Sequence, residues 1–244
     1  MKILKEIFAR IWALWGLICF VVTILIAFIF YSPCFFMKEP AAGKYHRIVS
    51  RVWMVVYLHL IACPFKVKGR EYFQPGKNYV ITCNHNSLAD ILITTPFMPS
   101  ANKTIAKSGL AYIPVFGWIY AAGSVLVDRK NEKSRRESFK KMKHALDLGF
   151  HMVIYPEGTR NRTDQPLKSF YEGAFRLAIE TQKQIMPAVL FNTRKVLPVK
   201  KTFYLFPQKL EMHFLPPVDS RNISVKELKE KVFRVMWDYY EANK

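Results

Sequence analysis

The sequence predicts an α/β fold, a sheet flanked by helices, behind an N-terminal membrane-associated helical pair. Three observations carry that prediction. Ile11 to Phe30 is apolar almost throughout, and no charged side chain occurs from Ile11 to Met37. Beyond residue 63 the apolar runs shorten and alternate with amphipathic segments. The chain has 244 residues, 51% of them hydrophobic, which is enough for a full core and excludes disorder. The expected division is an anchoring pair over residues 1–63 and an α/β domain over 64–244.

Twenty helical residues cover roughly 30 Å, the hydrocarbon thickness of a bilayer. A signal peptide is the rival reading, because Lys2, Lys5 and Arg10 resemble a charged leader. The apolar run is long for that purpose, and the bulky YSPCFF that follows is a poor cleavage site. Lys38, Lys44, Arg47 and Arg51 make the second flank basic as well, so the positive-inside rule selects no orientation. A helix that enters and returns on one face would show the same pattern. Val49 to Cys63, with Arg51, Trp53, Tyr57 and His59, reads as an interfacial or partly inserted helix paired with the first.

Tyr79–Cys83, Ser124–Val127, Met152–Tyr155 and Met186–Phe191 are strand-like, and Thr202–Phe206 with Leu210–Leu215 is expected to extend the sheet. Between them, Phe139, Met142 and Leu146 recur at helical spacing within Asn131 to Gly149, where Gly149 stands at the C-terminal cap. In Ser224 to Tyr240, Ser224 and Glu227 form a capping box, and Leu228, Val232, Val235 and Tyr239 form the inward stripe.

The net charge is +19, and the first 40 residues contribute +2, so the excess belongs to the globular part. A basic face suits nucleic acid, an anionic membrane or acidic substrates and carriers, and the adjacent apolar segment favours the last two. Cysteines 19, 34, 63 and 83 form no CxxC pair, so neither a metal site nor a disulfide framework is expected. The basic run Lys130 to Lys143 reads either as a solvated helix face or as a contact for anionic headgroups or an acidic acyl carrier protein.

Asn84-His85-Asn86-Ser87-Leu88-Ala89-Asp90 falls where a strand ends and a helix begins, the position at which ligands collect in open α/β sheets. Five helical steps would set His85 and Asp90 about 140° apart. They meet only if His85 lies in the turn and Asp90 in the first helical turn. Asp90 then accepts from Nδ1 and leaves Nε2 free to take a proton. The alternative is that Ser87 to Asp90 is simply a capping box. Tyr155-Pro156-Glu157-Gly158-Thr159-Arg160 has the Pro-Gly spacing of a tight turn and presents Arg160, whose guanidinium can fork onto a phosphate, or it is a solvated turn with incidental charges. Cys83, two residues before His85, reads as a small core residue or as an acyl-carrying thiol, and Phe116, Trp118 and Tyr120 as core or as the border of an acyl channel.

Together these segments resemble the lysophosphatidic acid acyltransferase family. Asn84 to Asp90 matches its NHxxxxD motif, and Tyr155 to Asn161 its FPEGTRS motif, with Tyr155 for Phe and Asn161 for Ser. Lys107, Pro114-Val115-Phe116-Gly117 and Val125 to Arg129 resemble its second block, and Ile185-Met186-Pro187 its fourth.

The resemblance implies acyl transfer from acyl-CoA or acyl carrier protein to the sn-2 hydroxyl of lysophosphatidic acid, giving phosphatidic acid. No cofactor beyond the acyl donor is implied. His85 is then the general base and Asp90 its partner. Lys107 and Arg160 grip the acceptor phosphate, with Arg129 as a third cation, while Glu157, Gly158 and Thr159 shape that pocket. The family also implies a membrane-bound enzyme with its catalytic domain facing the cytoplasm, and backbone N–H groups near the turns to receive the oxyanion. An enzyme acting on another lysolipid or on glycerol 3-phosphate would keep these motifs. A noncatalytic membrane lipid-binding protein would keep the anchor and basic face without needing His85, and no motif supports a nucleic-acid partner.

Overall fold

The computed structural model describes residues 2–244. Two long helices come first, α1 (Lys2–Tyr31) and α2 (Ala41–Leu60), joined by a short 3₁₀ turn. The rest alternates: β1 (Phe65–Lys68), β2 (Val80–Cys83), α3 (Ala89–Phe97), β3 (Asn102–Lys107), α4 (Phe116–Ala122), β4 (Ser124–Val127), α5 (Glu132–Asp147), β5 (His151–Ile154), α6 (Gly173–Glu180), β6 (Ile185–Phe191), the single turn α7 (Thr193–Val196), β7 (Leu210–Phe214) and α8 (Val225–Asn243).

The sheet order is β1-β7-β6-β2-β5-β3-β4. Strands β6, β2, β5, β3 and β4 run parallel, whereas β7 is antiparallel to β6 and carries β1 alongside it. Every residue of β2, β5 and β6 is buried, as a parallel sheet covered on both faces requires. Side chains alternate between two cores. Ile81, Cys83, Val153 and Met186 face α1, α2 and α3, whereas Val80, Met152, Ile154 and Val189 face α5, α6 and α8.

Helix boundaries follow the caps anticipated at Gly149 and Ser224, and Asn131 adds an N-cap that the spacing did not single out. Asn131 accepts from Ser134 N at 3.0 Å to start α5, and Gly149 ends it at φ +87°. Ser224 and Glu227 form the complete capping box of α8. Strands β1 and β3 were not anticipated. The first is a four-residue alternation, FKVK, and the second, NKTIAK, has almost no apolar signal of its own.

The inward stripe of α1 is largely small, Ala9, Ala13, Gly16, Cys19, Thr23 and Ala27, with Ile24 and Tyr31 as its large members towards the C-terminal end, so its neighbours approach closely along the first turns. A Cβ on Gly16 would lie 2.9 Å from Leu205. The indole N–H groups of Trp12 and Trp15 donate to the carbonyls of Ile61 and Leu60 at 3.0 and 2.9 Å, satisfying acceptors at the end of α2. Both ends of α1 are tied to the globular body. Glu6 pairs with Lys201, and near the other end Ile24 and Ala27 pack against Ile119 of α4. The remaining surface of α1, with Ile11, Leu14, Leu17, Ile18, Leu25 and Ile29, is exposed and apolar. An apolar face of that extent marks a membrane or partner contact.

One expected strand does not form. Thr202–Phe206 turns at Phe203, φ +48°, and Leu205 N–H donates to Ala9 O of α1 at 3.1 Å. The reason lies in the sheet: both edges of β7 are already taken, by β1 and by β6. The segment therefore packs Tyr204 and Leu205 inward beside α1.

Candidate active site

Strands β2, β5, β3, β4 and β6 all point their C-terminal ends the same way, and each delivers its chemically suggestive residues within a few positions of that end. His85 follows β2, Glu157 to Arg160 follow β5, Lys107 closes β3, Arg129 follows β4 and Arg194 follows β6. Because β2 and β5 are hydrogen-bonded neighbours, segments about 70 residues apart in sequence become adjacent turns.

Within the first turn, His85 Nδ1 lies 2.8 Å from Asp90 Oδ2. The same oxygen accepts the backbone N–H groups of Asn86 and Ser87 at 2.6 and 2.7 Å. Asp90 is fully buried and can only accept when ionised, so Nδ1 carries the proton and Nε2 holds the free lone pair of the imidazole. The His85–Asp90 contact that the general-base reading needs is present. Only half of the expected capping box forms, because Asp90 accepts from Ser87 N while Ser87 Oγ accepts from Ala89 N rather than from Asp90 N. Asp90 fastens the helix entry and orients the ring with one oxygen, while Ser87 Oγ accepts from Ala89 N and donates to Leu197 O. Tyr155 stacks on the His85 ring, centroids 4.3 Å apart, and its own hydroxyl is held by Thr94 at 2.7 Å.

Glu157 departs from the expectation that it shapes the substrate pocket. It is fully buried, and its two oxygens accept the backbone N–H groups of His85 and Lys168 at 2.8 and 3.0 Å. Glu157 lies in the turn three residues after β5 ends, and its buried carboxyl braces the His85 turn through the backbone. Burial pushes its carboxyl up to about 7, against the opposing pull of the two N–H donors. Asn161 N–H donates to His85 O at 2.6 Å, closing the same junction from the other side.

His85, Lys107, Arg129, Gly158, Thr159 and Arg160 come together on one cavity of about 1150 Å³. Its rim carries three cations that the motifs did not single out, Lys130, Arg162 and Lys168. Lys168 Nζ donates to Thr159 Oγ1 at 2.9 Å. Apolar side chains from α2, α3, β3 and α4 and their connections line the same cavity, among them Met54, Leu92, Ile105, Leu110, Phe116 and Ile119, with Tyr31, His46 and Ser50 among the polar residues. Phe116 and Tyr120 thus do line a cavity, whereas Trp118 is exposed and packs against Phe28 and Phe35. Gly158 adopts φ +71°, which lets the turn pass Tyr171 and Arg129 closely.

Cys83 is fully buried, and burial holds its thiol far above the range in which a thiolate forms, so it belongs to the core. Arg194 is the residue that sequence reasoning missed altogether. It donates to Asn86 Oδ1 at 3.1 Å and to the carbonyls of Thr163 and Asn161 at 2.7 and 3.3 Å. Its only local signal is a cation just after a buried strand. Among the described residues no group of three or more His, Cys, Asp or Glu side chains is placed to hold a metal.

The family described as Acyltransferase matches residues 64–191. A 1-acyl-sn-glycerol-3-phosphate acyltransferase of Saccharomyces cerevisiae is 30% identical over 212 residues, covering 80% of this chain and 67% of its own. One of Cocos nucifera is 29% identical over 188 residues, 76% of this chain and 58% of its own. With the Arabidopsis thaliana and Mus musculus relatives at 49% and 62%, matches to curated relatives span about half to two thirds of their length. The crystal structure of the 1-acyl-sn-glycerophosphate (LPA) acyltransferase PlsC from Thermotoga maritima superposes with a TM-score of 0.81 at 23% identity, covering 99% of this chain and 97% of that one, and shows the same fold.

Proposed function

Since the chain belongs to the acyltransferase family, we propose that it moves a fatty acyl group from a thioester donor, acyl-CoA or acyl carrier protein, to the sn-2 hydroxyl of lysophosphatidic acid, releasing phosphatidic acid. The observation that carries this reading is the His85–Asp90 pair, 2.8 Å apart, on a cavity lined both by apolar side chains and by the cations Lys107, Arg129 and Arg160. An amphiphile with a phosphate head and a long-chain acyl donor have that same division of chemistry.

In the reaction, His85 Nε2 takes the proton of the acceptor hydroxyl while the oxygen bonds to the thioester carbonyl carbon. Asp90 stabilises the resulting imidazolium. The tetrahedral intermediate collapses by breaking the carbon–sulfur bond, and the imidazolium returns its proton to the departing thiolate. Lys107 and Arg160 hold the acceptor phosphate with Arg129 nearby, while Thr159 and Gly158 form the wall of that pocket. Glu157 acts through the backbone it braces. No metal or other cofactor has a part in these steps.

In this reading residues 1–63 are the anchor and 64–244 the catalytic domain, facing the cytoplasm. The exposed apolar faces of α1 and α2 rest in the bilayer, and the ties at both ends of α1 keep the helix alongside the domain. The test is acyl transfer by the detergent-solubilised full chain, wild type beside His85→Ala, with both donors. Phosphatidic acid from the wild type alone supports reaction and base together. Product from both would remove the general base, and product from neither would redirect the reading to another lysolipid acceptor or to lipid binding.

A further inference from the structure

Helix α5 has an outer stripe that the acceptor site does not use. Its buried residues, Ser138, Met142, Ala145 and Leu146, face the sheet. Lys133, Arg136 and Lys140 recur at i, i+3 and i+7 on the opposite side and are exposed, with Lys141 beside them. Arg136 is shared with Glu132 in the same helix, whereas Lys133, Lys140 and Lys141 have no ion-pair partner among the described residues.

Placement separates the possible partners. The exposed apolar surfaces of α1 and α2 lie in the layer on one face of the sheet, and α5 packs with α6 and α8 on the other. A membrane that meets the apolar layer therefore meets the side away from this stripe. The N-terminal end of α5 does reach the active cavity, since Arg129 and Lys130 immediately before it line the rim. The stripe thus leads along a solvent-facing helix of about 24 Å to the mouth of the site.

We propose that this stripe docks a soluble acidic protein carrying the acyl thioester on a flexible arm, an acyl carrier protein. The inference rests on the acyl-transfer reading above and selects between its two donors. Acidic side chains of the carrier meet Lys133, Lys140 and Lys141, and the arm passes Lys130 and Arg129 to bring the thioester carbonyl to His85. Free acyl-CoA, which has no protein surface, needs only the rim. Charges on a solvated helix face act chiefly on encounter with an oppositely charged partner and are screened by salt.

The test uses the full chain in detergent with the Lys133→Glu/Lys140→Glu double variant and a Lys133→Arg/Lys140→Arg control. Acyl-carrier-protein and acyl-CoA donors of equal chain length are compared, with lysophosphatidic acid as acceptor. Expected is a rise of about tenfold or more in KM for the carrier-protein donor, spared by the arginine control, with an unchanged KM for acyl-CoA. Fluorescence anisotropy of a labelled carrier protein should show salt-sensitive binding that the double variant loses. Equal loss with both donors, unchanged kinetics with the carrier protein, or loss of binding to anionic phosphatidylglycerol vesicles instead would each overturn the assignment. If the wild type transfers from neither donor, the acyl-transfer reading has failed, and the anisotropy arm alone decides docking: no carrier binding overturns it.

Discussion

Arg194 donates to the side-chain oxygen of Asn86 at 3.1 Å, linking residues 108 positions apart. Its other bonds reach the Asn161 and Thr163 carbonyls, so one guanidinium spans the turn after β2 and the loop after β5. The Asn161 N–H to His85 O bond and the His85 N–H to Glu157 bond tie the same turn to that loop through the backbone of His85, whereas Arg194 holds Asn86 beside it. Arg194→Ala should lower kcat by about 10- to 100-fold with a much smaller change in KM, because it lets the base drift rather than removing a substrate contact. Arg194→Lys, which keeps the charge and loses the fork, should recover only part of the rate. Steady-state kinetics on the three proteins check this, and a KM effect larger than the kcat effect would place Arg194 against the substrate instead.

His85 and Asp90 should separate activity from stability. His85→Ala removes a partly buried ring and should cost about 10²- to 10⁴-fold in rate while leaving the melting temperature nearly unchanged. Asp90→Ala should lose comparable activity and also unfold more easily, because the N–H groups of Asn86 and Ser87 are left without their acceptor, at about 1–3 kcal/mol each. Thermal melts beside initial rates distinguish the two. Equal melting temperatures would mean that Asp90 serves the ring alone.

Arg160→Ala and Lys107→Ala should each raise KM for lysophosphatidic acid by about 10- to 100-fold, the worth of a charge-assisted hydrogen bond to a phosphate. A monoacylglycerol acceptor, which lacks the phosphate, should respond to neither change. A parallel loss with both acceptors would assign these cations to the donor or to the oxyanion.

Glu157 gives the fold a pH signature. Its carboxyl is raised by burial to about 7 from an ordinary 4.5, so between those values the folded chain holds a proton that the unfolded chain releases. The stability contributed by this group is therefore fully present below the unfolded value and is lost as pH rises toward 7. Glu157→Gln removes the titration. The urea midpoint of the wild type minus that of the variant should fall as pH rises from about 5 to about 7, then level off. A flat difference would mean that the carboxyl titrates normally, its two N–H donors outweighing burial.

Much of this architecture was legible from local pattern. The unbroken apolar stretch, the short buried strands, the caps at Gly149, Ser224 and Glu227, and the placement of both motifs at strand ends depend on neighbours within a few residues. Periodicity and turn chemistry report those neighbours directly. Strand β3 escaped because its burial comes from flanking strands rather than from its own composition, and Thr202–Phe206 misled because an apolar run does not reveal that the edges of β7 are occupied.

Long-range pairing settled the remainder. That β2 lies beside β5, and so His85 beside Glu157, follows from the sheet order, which no segment of the chain encodes alone. The same holds for Glu157 facing the backbone rather than the cavity, for Arg194 bridging two turns, and for α1 lying against the domain along its length. Each depends on which side chains several separate strands and helices bring within about 3 Å of one another, the distance at which hydrogen bonds act. Residue types announced the chemistry, but directions past the ends of strands were set by packing.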